Sequence, residues 1–434
     1  MKDRPYRAAA GLAAGLALVY APVLTAPVLY DDLSHVRDNP VFTLPFLSFW
    51  QGLTSRYYFE FVRERTYQPF VTLFHYFTHA SPPVYRAAGL ALHALNAALV
   101  FEIARRLTGR ARTAAFAALL FAAFPAHTEA LNFSAFKGHL LASFFILAIV
   151  IAVMEACGGR GKLDGKLTVA TGCLLTFALL AKESGLVAVA LAAAYVSLFV
   201  GARARRLAPL AAVFATLTAA YFTLRFAWLA PPPAFPGSFA RPSLESLAFY
   251  VKTLVLPLPL CLERALPAGP LWLAWLAAFA AAAWTLRKSR QGLFCLAWIV
   301  LSLLPVLHLI PFANVSSVAD RYLYLPAAGF ALLLAHLYGR EARGERFLGI
   351  LLAVWTGLTF SRNLTYRSAR ALFEQTAACA PGNARAQFLD GNARFADRDY
   401  AGARAAYERV LALTDSEGAR QALAEIDRLE KTTR

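Results

Sequence analysis

Apolar runs of roughly 15 to 22 residues alternate with short polar loops along most of this chain. Runs of that length cross a bilayer as helices, the shorter ones with tilt or local thinning. About eleven can be marked, near 8–29, 83–104, 113–131, 138–156, 167–181, 184–201, 207–229, 270–286, 292–310, 322–338 and 347–361. The pattern predicts an all-α, polytopic helical membrane protein. Lys2-Asp3-Arg4 before the first run resembles the start of a signal peptide. That run is too long for a cleaved apolar segment, so it reads as an uncleaved first helix.

The loops set the orientation. Arg105, Arg106, Arg110 and Arg112 lie in one, and Arg160, Lys162 and Lys166 in another. Arg203, Arg205 and Arg206, then Arg287, Lys288 and Arg290, then Arg340, Arg343 and Arg346 follow. All five loops fall on one side if the N-terminus is cytosolic, as the positive-inside rule requires. The opposite face then carries a first loop over 30–82, a proline-rich loop from Ala230 to Pro270, and the C-terminal tail. Aromatic residues crowd the first loop (Phe42, Phe46, Phe49, Trp50, Tyr57, Tyr58, Phe59), which suggests an amphipathic segment in the interface. Pro231-Pro232-Pro233 is expected to stiffen its loop and nothing more.

Composition agrees: 59% of the 434 residues are hydrophobic and 16% charged, where soluble domains carry about 25% charged residues. The net charge of +17 sits in topology loops, which argues against nucleic acid as a partner. Of five cysteines, none has metal-ligand spacing. Cys173 and Cys295 lie within apolar runs and read as packing residues, and the topology permits a Cys261–Cys379 disulfide.

Residues 1–361 therefore form a membrane domain, and 362–434 a polar, helical, non-cytosolic tail. Ala384 to Asp415 fits a tetratricopeptide repeat (TPR), with Gly391, Tyr400, Ala403 and Tyr407 at its small and aromatic positions. Asp390 and Arg394 depart from that pattern, and Asp415 replaces its terminal proline. One repeat cannot bury its own face, so the tail should lean on the membrane domain or on a protein partner.

Ionisable groups gather on the non-cytosolic side: Asp31, Asp32, His35 and Asp38; His127, Glu129, Lys137 and His139; Lys182 and Glu183; Asp320 and Arg321. Paired carboxylates can supply a general base, and cations can hold a phosphate and stabilise a leaving group. Such a set suits transfer from a lipid-linked phosphate. Each member also has a plainer reading. The Asp pair can cap a turn, His127 and Glu129 can pair with each other, and so can Lys182 with Glu183 and Asp320 with Arg321. His75, His79 and His93 lack zinc-site geometry. The motifs fix no cofactor, although His35, Asp38 and the Asp pair could hold a divalent cation.

Tyr30-Asp31-Asp32 through Asp38-Asn39-Pro40 resembles the first-loop motif of the transmembrane and tetratricopeptide repeat (TMTC-like) proteins, which are C-type (GT-C) glycosyltransferases. Leu92-His93-Ala94-Leu95-Asn96, Phe124-Pro125-Ala126-His127-Thr128-Glu129-Ala130, Leu140-Leu141-Ala142 and Ala181-Lys182-Glu183-Ser184-Gly185 are similar to later motifs, in order. Asp320-Arg321-Tyr322-Leu323-Tyr324-Leu325-Pro326 and Ser361-Arg362-Asn363 complete the series. The resemblance implies a GT-C-like fold, a lumenal or periplasmic active site, and a polyprenyl-phosphate sugar donor, typically carrying mannose. It also implies protein Ser or Thr acceptors, and Asp31 or Asp32 as catalytic carboxylate, with Glu129 and Arg321 near the site. Two motifs depart: Gln68-Pro69 stands for Arg-Pro, and Phe136-Lys137-Gly138-His139 keeps a cation but loses an acid.

The expected function is inverting transfer of a sugar to a hydroxyl of a protein or glycan acceptor. Asp31, Asp32 and Glu129 are the catalytic candidates, and Arg321, Lys137 and Lys182 the phosphate-binding ones. His35, His127, Glu183 and His139 are accessory. A non-enzymatic scaffold presenting its TPR is the competing class. Compact loops and a minimal repeat favour a bacterial cytoplasmic membrane.

Overall fold

A computed structural model describes residues 15, 17–63, 67–158, 163–229, 240–264, 269–307 and 318–433. Every regular element among them is helical. The first run is helical over 17–24, its residues 8–14 lying outside the described part, as do Lys2, Asp3, Arg4 and the three prolines at 231–233. The first loop folds into a π-helical turn (Leu33–Arg37) and three helices: α1 (Phe46–Leu53), α2 (Tyr58–Val62) and α3 (Pro69–Thr78). Helix α1 buries Phe49 and Leu53 while Phe46, Leu47 and Trp50 face outward.

The apolar runs follow. They form α4 (Pro82–Thr108), α5 (Ala111–Ala122), α7 (Lys137–Gly158), α8 (Gly165–Ala181), α9 (Val187–Phe199) and α10 (Ala208–Thr223), with α6 (His127–Asn132) a short insertion. After α11 (Ala240–Val255) come α12 (Leu271–Leu286), α13 (Arg290–Leu303), α14 (Tyr324–Tyr338) and α15 (Ala342–Thr365). Local chemistry fixes the ends. Helix α4 opens on prolines that have no N–H to satisfy and stops at Gly109, whose φ of +70° suits glycine. Asp164 and Ser289 cap α8 and α13 through backbone N–H groups.

By length and composition, Pro82–Thr108, Ser134–Gly158, Ala204–Trp228 and Ala342–Thr365 can each cross a membrane. Shorter apolar helices lie beside them, and the chain is an integral membrane protein.

Two readings change. The run at 113–131 is broken after Ala122, because Pro125 cannot donate to a continuing helix. The loop from Ala230 to Pro270 contains α11, whose Arg241, Ser243, Glu245 and Ser246 lower its hydropathy while Tyr250, Thr253 and Leu254 are buried.

The tail is four helices: α16 (Ala369–Cys379), α17 (Ala384–Ala396), α18 (Tyr400–Leu413) and α19 (Glu417–Thr433). Gly391 lies under Tyr407, and a Cβ there would come within 2.6 Å of the ring. The unusual Asp390 and Arg394 pair with each other at 2.9 Å, so each accounts for the other. A second apolar cluster, including Tyr30, Phe133, Phe136, Leu262, Tyr366 and Phe373, fastens the tail to the membrane domain. A Cys261–Cys379 disulfide ties the same surfaces across 118 residues of sequence. Cys295 is buried as expected, whereas Cys173 is exposed. Removing the bridge with Cys261→Ser and Cys379→Ser should speed trypsin cleavage at Arg367, between α15 and α16. An unchanged digestion rate would show that the tail is held without the bridge.

Candidate active site

Asp31 and Asp32 point to different partners. Asp32 is fully buried, and its two oxygens accept the Ser134 and Ala135 backbone N–H groups, each at 2.8 Å. It thereby anchors the first loop on the Ser134–Phe136 turn. Burial pushes its carboxyl up to about 6, against the opposing pull of those two N–H groups and of Lys137. Asp31 keeps 23% of its side-chain surface and meets Arg385 of α17 at 3.2 Å. Arg385 also reaches Glu263 at 3.3 Å and lies over the Tyr30 ring, while the Tyr30 hydroxyl donates to Glu263.

The raised Asp32 value gives a testable pH dependence. In the unfolded chain its pKa is about 3.9. Between about pH 4 and 6 the folded protein therefore holds a proton that the unfolded chain has released. Stability from this group is complete below pH 4 and is lost as pH rises through 6. Asp32→Asn should flatten that slope in a pH series of melting curves, and an unchanged slope would refute the assignment.

A second carboxylate centre lies on α6. Glu129 accepts the Arg321 guanidinium at 2.5 Å and the Arg321 backbone N–H at 2.8 Å, both residues buried. The Arg321 guanidinium also stacks over Phe136. Asp320, next in the chain, pairs with Arg264 at 3.2 Å. Because Glu263 adjoins Arg264 and Asp320 adjoins Arg321, the ion pairs form one belt from Asp31 through Arg385 to Glu129.

The other candidates are placed differently. Lys137 is 1% exposed, and its Nζ donates to the carbonyls of Ala130, Leu131 and Phe133 at 2.8–3.1 Å, closing the end of α6. Gly89 makes room for it, since a Cβ there would stand 2.5 Å from Lys137 Cε. Lys182, His139 and Glu183 line a cavity of about 50 Å³ beside Tyr322. Glu183 takes the Tyr67 N–H at 3.0 Å and lies 3.6 Å from Arg225.

His127 is buried among Phe121, Phe124, Tyr324 and His93 and belongs to the core. There His93 and Asn96 both hydrogen-bond the Tyr324 hydroxyl, tying α4 to α14. His35 turns back to the Asp31 carbonyl at 3.1 Å. Arg37 pairs with Asp38 at 2.7 Å and holds its carboxyl below the ordinary value. The cation site suggested for these residues is not assembled: no three His, Cys, Asp or Glu groups converge among the described residues.

Sequence reasoning missed Glu263 and Arg385. A faint signal existed for the second. Asn383 caps α17, so Arg385 lies in the first turn, where the helix dipole disfavours a cation unless a carboxylate faces it.

Among known proteins, the chain is 26% identical to the protein O-mannosyl-transferase Tmtc3 of Drosophila melanogaster, over 80% of this chain and 48% of that protein. It is 26% identical to TMTC3 of Mus musculus over 45% of this chain and 22% of that protein. With TMTC2 of Mus musculus the identity is 28%, over 42% and 23%. Both mouse proteins are also named protein O-mannosyl-transferases. The chain spans about half the length, or less, of these animal relatives. No family model matches it, and no solved structure does. The similarity to protein O-mannosyl-transferases of the TMTC type extends over four-fifths of the chain, agreeing with the resemblance carried by its motifs.

Proposed function

We propose that this chain is a membrane glycosyltransferase that moves a sugar, mannose by the relatives' names, from a polyprenyl phosphate to a hydroxyl of a protein. The observation that carries the reading is the accessible Asp31 carboxylate at one end of the ion-pair belt, in the motif that resembles the family's catalytic loop. Asp31 is the base, because Asp32 is enclosed and both its oxygens are committed to backbone N–H groups. The acceptor oxygen attacks the anomeric carbon as Asp31 takes its proton. The bond from that carbon to the phosphate oxygen breaks, and its electron pair leaves with the polyprenyl phosphate. Attack from the face opposite the phosphate inverts the centre.

Glu129 and Arg321 act by positioning. Their buried pair fixes α6 against the turn that carries Asp320. Lys137 has its three donors on carbonyls, so it braces the loop and does not bind phosphate. On the expected topology of eleven spans with a cytosolic N-terminus, Asp31, the disulfide and the TPR-like tail lie on the non-cytosolic face. A disulfide there agrees with an oxidising compartment. The test is transfer from labelled polyprenyl-phosphate mannose to Ser/Thr peptides in membranes, comparing wild type with Asp31→Asn. Equal transfer by both would overturn Asp31 as the base, and transfer by neither would favour the scaffold reading.

A further inference from the structure

Among the described residues, Tyr30, Arg63 and Arg398 have left-handed backbone although none is glycine. Arg63 and Arg398 follow the ends of α2 and α17, where helices commonly finish that way. Tyr30, with φ at +55°, ends no helix, because the preceding one stops at residue 24. A bulky side chain in that conformation is an outlier, and it persists only where the surroundings hold it. The holding groups are plain. Tyr30 is buried against Phe133, its hydroxyl donates to Glu263, and Arg385 lies 4.9 Å over its ring. Neither Glu263 nor Arg385 belongs to the first loop. The Cys261–Cys379 bridge joins the two segments that carry them.

The strained residue directly precedes Asp31. Arg385 Nη2 meets Asp31 Oδ1 at 3.2 Å, and its Nε meets Glu263 at 3.3 Å. Asp31 Oδ2 accepts no hydrogen bond among the described residues. We propose that Arg385 is a positioning residue for the base. From the tail it holds the Tyr30 backbone and one oxygen of Asp31, so that the other oxygen meets the acceptor hydroxyl. Glu263 in turn orients the guanidinium. A group that spans two carboxylates and stacks on a ring has to be planar and forked, which suits arginine and not lysine. The inference rests on Asp31 being the base, and it makes the rate of the membrane domain depend on its tail.

The test is steady-state transfer of labelled mannose from polyprenyl phosphate to a Ser/Thr peptide by the full chain carrying Arg385→Ala. A misplaced reacting group should lower kcat by about tenfold. KM for peptide and for donor should stay as in wild type, because the interaction lost is one that serves the chemical step. Melting temperature should not move, since both sides of the Arg385–Asp31 pair are partly exposed. Arg385→Lys should recover part of kcat, as its ammonium keeps the charge without the fork. Arg385 is 42% exposed, so guanidinium chloride at constant ionic strength should also raise the rate of Arg385→Ala. Wild-type kcat in Arg385→Ala, with Asp31→Asn inactive, overturns the proposal and leaves the base in place. A fall in kcat that tracks a lower melting temperature, with no rescue by lysine or guanidinium, makes Arg385 merely structural and also overturns it. Full transfer by Asp31→Asn removes the base, and this inference with it.

Discussion

Asp31→Asn is expected to lower sugar transfer by about 10²–10⁴-fold, the usual effect of losing a general base, with no measurable change in melting temperature. The contrast follows from where the carboxylate sits. Its ion pair with Arg385 is partly exposed on both sides, and such pairs contribute about 0–1 kcal/mol. Asp32→Asn should behave in the opposite way, leaving its mark on the pH dependence of stability and less on the chemical step. The pair of variants separates two neighbouring carboxylates that composition cannot distinguish. Wild-type transfer by Asp31→Asn, with transfer abolished in folded Asp32→Asn, would reverse the assignment.

The second large effect concerns Glu129 and Arg321. Removing one partner of a buried ion pair leaves the other charge uncompensated, at a cost of about 3–5 kcal/mol. Arg321→Met should therefore be strongly destabilising, because Glu129 would keep only the backbone N–H at 2.8 Å. Glu129→Gln should be nearly as severe, since a neutral amide can still accept that N–H but cannot balance the guanidinium. The double variant Glu129→Gln/Arg321→Met should recover a good part of the loss, as both charges are then absent. Thermal melting of all four proteins closes the cycle. Additive single effects would mean that the pair is incidental to the fold.

The sequence conveyed the helices far better than the contacts between them. Long apolar runs such as those of α4, α7 and α15 need no tertiary information, because the bilayer length sets them. Helix α11 escaped notice because buried polar residues such as Ser243, Glu245 and Ser246 interrupt its apolar ones, which dilutes hydropathy. The break before α6 was visible in principle at Pro125. The motifs led to the right neighbourhood, but many of their polar residues proved to be internal ties. His93 and Asn96 meet on Tyr324, and Asn363 bonds Asn132 and the Val19 carbonyl. Spacing along a chain cannot separate such a tie from a group that faces substrate. Burial can, and it divided Asp31 from Asp32. Arg385 was out of reach because its partner lies 354 residues away.

That separation also orders events during synthesis. At about 5–20 residues per second, Arg385 emerges on the order of 20–70 s after Asp31. On the proposed topology the first loop spends that interval across the membrane with its carboxylate uncovered, while the later helices insert. The ion-pair belt can close only after the tail has followed and met the loop bearing Cys261. A chain arrested before Arg385 would thus hold every apolar helix of the membrane domain and still have an unfinished site, so quality control of this protein is best read at its last helices.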